Sequence, residues 1–544
     1  MIHRSTAISS LLKKGSDPLR VRPLFQQAVR RLPSRKRRGA LLIIVLVTIV
    51  MISLAAYTFT ALMQTEDESA RLIARQVQSK YLVDSGVDYV RLFLASDDAT
   101  IREKGGVWDN SMSFQAFPVG ADPNDPLLVG RFTIISSSID DEGNPEGYRY
   151  GLMDESCKLN VNTLTFADSW VPGGGRQLLM GLPDMTEDIA DAILDYLDGD
   201  DEPRDYGTET SYYEGLSPGY RAKNGPLDSL DELLNIRGVT PQLLFGLDSN
   251  RNGLVDGSEL ASQNVGSTEP DMLLGWANYL SMHSKESNLN PEGLERVNLN
   301  NPDLEQLYTD LRSAFNDEWS KFIIQYRQNG PYVMKEGDAN PVSATTPFEL
   351  DFEKESAFTF TQVLDLVDTY TTAPNADDAS KPLILSSPIS LARLTGSIPI
   401  LMKNATTYEG QAIPGRINIM QAPRRVLAAI PGMTEDILDE ILNRREFELD
   451  DPDGADLNRQ FETWLLVEGL VDLETMKAML PFVCTGGDVY MAEVVGYFDD
   501  GVGTSRAEVV VDTTVPIPRV LFWRDKTHLQ NAYSLDLLGI ELKK

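Results

Sequence analysis

The chain has 544 residues, of which 42% are hydrophobic, and a formal net charge of −32. This length allows more than one buried core. Beyond residue 38 there are 38 basic and 80 acidic side chains, and such an excess disfavours nucleic acid and anionic lipid and suits divalent cations or basic partners. Cys157 and Cys484 fit either a disulfide or two unpaired thiols. The three histidines are scattered, which argues against a histidine-based site.

The N-terminal region combines a basic leader, residues 1–39, with an uncharged apolar run, residues 40–63. About 20 apolar residues span a bilayer as a helix, and the preceding cations keep their side in the cytoplasm. The small residues Gly39 and Ala40 precede the run rather than follow it, so cleavage there would leave the apolar helix on the mature protein. Two interpretations stay open at this point: a plain signal anchor, or a pilin-type leader cut after Gly39.

Residues 64–157 continue without a break into an amphipathic pattern. Val83, Val87, Val90 and Leu94 recur at helical spacing, so the pattern predicts one long helix that packs its second half against a globular body. The segment RFTIISSSIDDEGNPEGYRYGLMDE then predicts two strands around an Asp-Glu-Gly-Asn-Pro turn. A long helix followed by a β-hairpin is the opening of a pilin-like architecture.

Four segments carry a family resemblance: the basic-Gly-Ala junction, RQVQSKYLVDSGVDY, YGLMDESCKLNVNT, and DYLDGDDEPRDYG with YRAKNGPLDSLDELLNIRGVT. Together they resemble type II secretion system protein K, also called general secretion pathway protein K, a minor pseudopilin. The match covers roughly residues 35–260. Ile44 stands at the fifth position after the predicted cut, where most pilins have glutamate and this family does not. The leader is longer than is typical of the family, and so is the chain, chiefly between 260 and 480.

An internal repeat links two distant segments. GLPDMTEDIADAIL (181–194) and AIPGMTEDILDEIL (429–442) agree at nine of fourteen positions, and related lead-ins occur at 158, 296 and 416. The pattern resembles helix-hairpin-helix units, with Thr186 and Thr434 as expected helix caps. Acidic hairpins would repel phosphate, so we expect a structural role. The predicted domains are an inserted α-helical domain at 158–410 and a further repeat at 411–480.

Residues 248–259, DSNRNGLVDGSE, match the twelve-residue calcium-loop pattern without a gap. Gly253 permits the sharp turn, and calcium binds six to eight oxygens. The alternative is an acidic surface turn. The predicted metal ligands are Asp248, Asn250, Asn252, Leu254 through its carbonyl, Asp256 and Glu259.

A second acidic cluster follows the first repeat helix. Carboxylates this dense repel each other unless they are solvated or bridged by a cation. The resemblance favours a metal here, because the helical domain of the family is associated with bound calcium; without it a solvated loop is expected. The possible ligands are Asp198, Asp200, Asp201 and Asp205.

The C-terminal region, residues 481–544, returns to alternating strands around Asp499-Asp500-Gly501-Val502-Gly503, and RVLFWRDKTH predicts another strand. If these strands pair with those near 130–152, the fold class is α+β: a pilin-like long N-terminal helix plus an antiparallel sheet, with a large inserted α-helical domain. Common nucleotide-binding, esterase and metalloprotease motifs are absent from the sequence, so we predict no enzyme and no catalytic residue.

The resemblance implies a function in protein transport. The chain would be a single-pass inner-membrane protein with a cytoplasmic N-terminus and a periplasmic body. It would sit at the tip of the pseudopilus and initiate its assembly with other minor pseudopilins and the major pseudopilin, after processing by prepilin peptidase. Structural calcium is the expected cofactor, and no nucleic acid is expected. The alternatives are a type IV pilus minor pilin and a membrane-anchored helix-hairpin-helix DNA receptor.

Overall fold

The structure is a computed structural model that describes residues 38–120, 129–141, 145–262, 274–375, 381–445, 457–529 and 532–540. Most of the predicted leader therefore lies outside the described residues, as does the centre of the predicted turn after residue 141. The chain divides into two compact units, residues 1–70 and residues 71–544.

The helices occur mainly before the sheet and within the insertion. In chain order they are α1 (Arg38–Leu94), α2 (Asp98–Glu103), α3 (Ser111–Phe114), α4 (Leu164–Trp170), α5 (Gly174–Leu179), α6 (Glu187–Leu197), α7 (Thr210–Glu214), α8 (Pro241–Phe245), α9 (Gly257–Ser262), α10 (Leu304–Ala314), α11 (Asp317–Asn329), α12 (Leu394–Asn404), α13 (Arg424–Ala428), α14 (Glu435–Arg445), α15 (Trp464–Val467) and α16 (Leu473–Met479).

The strands are β1 (Phe117–Val119), β2 (Gly130–Ile139), β3 (Pro145–Arg149), β4 (Met153–Asp154), β5 (Leu159–Asn160), β6 (Leu280–Ser281), β7 (Lys285–Ser287), β8 (Val297–Asn298), β9 (Tyr370–Ala373), β10 (Leu383–Ser386), β11 (Ala405–Thr406), β12 (Ala412–Pro414), β13 (Ile417–Asn418), β14 (Val483–Cys484), β15 (Val489–Phe498), β16 (Ser505–Asp512) and β17 (Arg519–Asp525).

The first unit contains the apolar half of α1. Its large side chains are exposed, for example Leu41 at 72% and Leu42 at 73%. Within the described residues, α1 from Leu41 onward is the helix long and apolar enough to cross a membrane. Exposure of this many aliphatic side chains is costly in water, so this part of α1 suits a lipid environment.

In the second unit, the later half of α1 packs on an antiparallel sheet with strand order β1-β2-β15-β16-β17; β3 pairs with β2 and β4 with β15. All four residues predicted for the buried stripe of the helix are buried. They join Phe132 and Ile134 of β2 and Val494 and Val509 of the late strands in one cluster. The predicted packing of the long helix is therefore confirmed.

The central pairing of the sheet joins strands that are far apart in the chain. β2 pairs with β15 in a register that runs from Gly130 opposite Phe498 to Ile135 opposite Glu493. The predicted hairpin partners β2 with β3 and β15 with β16 are also antiparallel, and β17 adds to β16. The expectation that early and late strands form one sheet, with helices inserted between them, is confirmed.

The insertion contains three segments that are closed in the same way. Two-residue strands pair in parallel at the start and end of each segment: β5 with β6, β8 with β11, and β13 with β14. In each opening strand an asparagine side chain accepts the backbone N–H two residues later, namely Asn160, Asn298 and Asn418. These are the three related lead-ins. The domain limits at 157/158, 410/411 and 480/481 stay predictions.

The repeated segments fold into similar helix pairs, α5 with α6 and α13 with α14. Ile189, Ile193 and Tyr196 of α6 are buried as the pattern predicts. The two predicted caps differ. Thr434 accepts the backbone N–H of Ile437 (3.3 Å), whereas the Thr186 hydroxyl donates to the carboxylate of Asp188 (2.5 Å) and does not cap the helix backbone. A neighbouring carboxylate is the better acceptor for that hydroxyl.

Candidate functional site: two acidic metal-binding regions

In the predicted calcium loop, the acidic residues at the two ends accept hydrogen bonds from backbone N–H groups within the loop. The Asp248 carboxylate accepts the backbone N–H groups of Asn252 (3.1 Å) and Gly253 (2.8 Å). The Glu259 carboxylate, at the twelfth place, accepts the backbone N–H of Asn250 (3.1 Å) and of Asp256 (2.9 Å). Gly253 has φ of +83°, which a side chain would disfavour. The loop is therefore turned so that its first and last ligands face its interior.

The donor set fits a hard cation. Asp248, Asn250, Asn252 and Glu259 are all buried, each less than 8% exposed. Burial, and next to it the negative charge of Glu259, raises the pKa of Asp248 to about 6, although the hydrogen bonds from Gly253 and Asn252 lower it. Two buried carboxylates and two buried side-chain amides offer the kind of oxygen ligand that calcium prefers. Calcium at this loop stays a prediction.

The back of the same loop is held by the sheet. Arg506 of β16 donates to the carbonyl of Asn250, and Lys526 donates to the carbonyl of Arg251 (2.7 Å). Glu493 of β15 accepts hydrogen bonds from both cations, at 2.7 Å and 2.9 Å. The loop thus lies where the helical insertion meets the sheet. The two cations that contact its carbonyls are both held by one buried carboxylate, that of Glu493.

The second acidic cluster is assembled differently from the prediction. Carboxylate oxygens of Asp198, Asp200 and Glu209 lie within 4.8 Å of one another, a separation that one cation can bridge. Asp201 accepts a hydrogen bond from the Asn224 side chain (3.4 Å). Asp205 lines a separate pocket with Asp168, Arg176 and Arg204. Two of the four residues named from the sequence therefore join this group, while the prediction for the other two stays untested.

Glu209 completes the cluster, and sequence reasoning missed it. It is 4% exposed, and neither of its carboxylate oxygens has a hydrogen-bond partner among the residues that the structure describes. Burial, followed by the charges of Asp195 and Asp198, raises the pKa of Glu209 to about 7. A buried carboxylate without a partner needs a proton or a cation.

The sequence feature that could have indicated the role of Glu209 is Gly207, two residues before it. A Cβ at Gly207 would lie 1.8 Å from a carboxylate oxygen of Asp195, so only glycine lets the chain pass and return Glu209 to the acidic cluster. Arg204 balances the other side of the cluster through Asp195 (2.8 Å) and Asp198 (2.5 Å). One oxygen of Asp198 also has no hydrogen-bond partner within the described part of the chain.

The two cysteines are not bonded to each other. Cys157 and Cys484 are buried free thiols, and burial raises both of their pKa values well above the usual range. Of the two possibilities that the sequence left open, the structure contains unpaired thiols. A buried thiol with a raised pKa is a poor nucleophile, so these side chains contribute packing rather than reactivity.

These features define a class of protein: an α+β chain whose apolar N-terminal helix continues into a helix packed on an antiparallel sheet, with a helical insertion between the strands. Residues 157–248 match the family model for type II secretion system (T2SS) protein K. This segment, which holds the second acidic cluster, is similar to the first domain of protein K. The resemblance inferred from the sequence is thereby confirmed.

Named relatives agree with this assignment. A putative type II secretion system protein K of Escherichia coli strain K12 is 24% identical over 220 residues, which cover 39% of this chain and 60% of that protein. Type II secretion system protein K of Aeromonas hydrophila is 29% identical over 224 residues, 39% of this chain and 62% of that protein. The chain therefore spans about three fifths of the length of each relative.

The chain also matches one chain of a solved structure, the crystal structure of the GspK-GspI-GspJ complex from the enterotoxigenic Escherichia coli type 2 secretion system. The match covers 85% of this chain and 98% of the matched chain, with 11% sequence identity and a TM-score of 0.29.

Proposed function

We propose that this protein is a minor pseudopilin of a type II secretion system, located at the tip of the pseudopilus, where it initiates assembly. The observation that supports this most directly is the combination in one chain of a segment similar to protein K at 157–248 with an apolar helix that runs into a strand-bearing body. The role is structural rather than enzymatic. Its proposed partners are other minor pseudopilins, the major pseudopilin and prepilin peptidase.

The proposal includes processing and orientation. Prepilin peptidase cuts after Gly39, Ala40 becomes the mature N-terminus, and the basic leader stays in the cytoplasm while the body lies in the periplasm. The helical insertion, residues 158–480, is a bulk that blocks stacking of a further subunit. Ile44 lacks the carboxylate that an incoming subunit would pair with the terminal amine of the subunit above, which suits a subunit with nothing above it.

Two alternatives are weaker. The hairpin of the first repeat exposes Asp184, Glu187 and Asp188, which would repel a phosphate backbone. This disfavours a DNA receptor, and salt-sensitive binding of duplex DNA would reinstate it. A type IV pilus minor pilin would also account for the apolar helix and the sheet, but the match of residues 157–248 to protein K favours the secretion system.

Mass spectrometry of the mature chain, from cells with an active prepilin peptidase, tests the processing step. We expect a polypeptide that begins at Ala40, and one that begins at Met1 would contradict the proposal. Gly39→Leu should block cleavage, and Gly15→Leu, within the leader but away from the junction, is the matched control. Crosslinking of the mature chain to the other minor pseudopilins of the same secretion system tests the role itself. If the chain is processed but never crosslinks to them, the tip assignment is wrong.

A further inference from the structure

Three tyrosines and one leucine with exposed side chains lie between residues 206 and 220, next to the second acidic cluster. Tyr206 is 52% exposed, Tyr212 is 41%, Leu216 is 40% and Tyr220 is 36%. We call these four residues the tyrosine face. Large aromatic side chains this accessible are unusual on a surface that otherwise carries many charges, and tyrosine is enriched at the centres of protein interfaces.

The exposed tyrosine rings of this surface are fixed by contacts with neighbouring residues. Tyr213 is fully buried, and its ring lies 5.2 Å from that of Tyr212 and 5.3 Å from that of Tyr220. The Tyr220 hydroxyl donates to the carbonyl of Asn235 (2.5 Å). Arg237 links Tyr206 to Tyr212. It donates to the carbonyl of Tyr206, and its guanidinium lies 5.8 Å from the centre of the Tyr212 ring. These aromatic side chains are therefore already positioned, so binding would cost little conformational entropy.

The charge around the tyrosine face is predominantly negative, although Arg176 lies 5.9 Å from the ring of Tyr206. Residues 184–237 contain 15 acidic and 4 basic side chains. Asp201, Glu202 and Asp205, just before Tyr206, are exposed. The cations nearby are engaged: Arg221 pairs with Glu214 (3.3 Å), and Arg237 donates to backbone carbonyls. A partner that covers these rings would meet a strongly negative rim.

We infer that the tyrosine face is a docking surface for a protein segment rich in arginine and lysine. Aromatic faces attract guanidinium and ammonium groups, and the carboxylate rim favours the same cations. Acidic or nucleic-acid partners are excluded by the rim, and a purely apolar partner would leave the carboxylates uncompensated. This inference goes beyond the proposed function, because it holds whether or not the chain caps a pseudopilus.

The test uses the full chain in an uncharged detergent and two fluorescent probes. One probe is a short peptide of alternating arginine and serine, and the other has citrulline at every arginine position, which keeps the shape and removes the charge. Fluorescence anisotropy at physiological ionic strength should show saturable binding of the arginine peptide alone. Equal binding of both probes would overturn the cationic assignment.

Variants then locate the surface. Tyr206→Ala with Tyr212→Ala should weaken binding of the arginine peptide roughly tenfold, because two ring contacts are lost. Tyr206→Phe with Tyr212→Phe keeps the rings and should bind within about twofold of the wild type. The matched control is Tyr81→Ala, an exposed tyrosine on α1. Unchanged binding in the double alanine variant, or an equal loss in Tyr81→Ala, would show that diffuse negative charge alone holds the peptide and would overturn the inference.

Thermal melts of each variant separate loss of binding from loss of folding. If the double alanine variant unfolds, the single variants Tyr206→Ala and Tyr212→Ala replace it.

Discussion

Glu209 shows how one residue can indicate a ligand. Its carboxylate is buried and its pKa is raised to about 7, mainly by burial and next by the charge of Asp195. Buried carboxyl groups are normally paired with a cation or donor, protonated, or bound to a metal. One oxygen of Asp198, a member of the same group, also has no hydrogen-bond partner in the described part of the chain, and we therefore propose the third explanation for test. Calcium would replace a repulsion between like charges with shared coordination.

Glu209→Gln should therefore have opposite effects with and without calcium. Without the metal, at pH 8, it removes a buried charge and should raise the free energy of unfolding by about 1–3 kcal/mol. With calcium, it removes a ligand, so the calcium-dependent rise in the thermal midpoint should shrink. Differential scanning fluorimetry with calcium or with a chelator measures both. Glu202→Gln, an exposed neighbour outside the group of three, should change neither quantity. If Glu209→Gln destabilises the chelated protein, the carboxylate has a different partner.

Asp525 illustrates the reverse shift at the edge of the sheet. Burial acts to raise its pKa, but hydrogen bonds from Lys80 (2.8 Å) and Thr527 (2.8 Å) outweigh burial and lower it to about 2. A carboxyl group with a lowered folded-state pKa contributes stability above its unfolded pKa, and that stability is lost as pH falls through the folded value. The relevant window of pH runs from the ordinary aspartate pKa of 3.8 down to about 2.

Lys80→Met should thus destabilise the protein by about 0.5–1 kcal/mol at pH 6, because the pair is partly exposed. The difference from the wild type should narrow towards pH 2, where Asp525 becomes protonated in both proteins. Urea unfolding at pH 6 and at pH 2.5 measures it, and Lys335→Met, at an exposed lysine in the insertion, is the control. A difference that stays constant across this range would mean that Lys80 acts by packing rather than by charge.

At the scale of elements, α1 and β15 approach each other closely at two glycines. A Cβ on Gly86 would lie 2.4 Å from Cγ1 of Val494, and a Cβ on Gly496 would lie 2.4 Å from the carbonyl oxygen of Ser79. Glycine costs helix stability, so its presence within α1 indicates that contact with the sheet outweighs helix propensity. This contact joins the helix to the strand that follows the whole insertion.

Gly86→Ala should destabilise the protein by about 1–3 kcal/mol, since overpacking outweighs the gain in helix propensity. The matched substitution is Gly396→Ala in α12, where the new Cβ would meet open space. It should be neutral or stabilising by up to about 1 kcal/mol. Chemical denaturation of both variants measures the contrast. Stabilisation by both substitutions would show that α1 does not approach β15 this closely.

Much of this element-level picture was predictable from sequence, and the reasons are physical. The valine spacing of α1 and the alternation in β15 to β17 are strong periodic signals that burial imposes on sequence. The strands β5, β8 and β13 span two residues each, which is too short for any period, so their parallel closures were not predictable. Glu209 was missed for a related reason: its partners are brought to it by folding around Gly207, not by sequence spacing.

At the scale of the whole molecule, the predicted calcium loop is a junction between insertion and sheet. Its carbonyls are held by Arg506 and Lys526, and both cations are held by Glu493 at the centre of the sheet. Asn252 also donates to the carbonyl of Ala532 in the C-terminal segment (3.1 Å). Ordering of the loop is therefore coupled to ordering of strands that are more than 200 residues away in the chain.

Calcium binding at the loop should consequently slow hydrogen exchange in β16 and β17. At a calcium concentration about 100 times the dissociation constant, linkage supplies about 2.7 kcal/mol, so exchange by opening of this junction should slow roughly 100-fold. Glu259→Gln, which removes the twelfth ligand, should abolish this protection, whereas Glu209→Gln should leave it intact because that residue belongs to the other cluster. Strands β9 and β10 are the internal reference, since they pair with each other in a small sheet separate from the one that contains β16 and β17. Protection that spreads equally to β9 and β10 would indicate general tightening of the fold. Protection that survives Glu259→Gln would place the responsible ion at a different site, and the loop would then be a surface turn fastened by Glu493 and its cations alone.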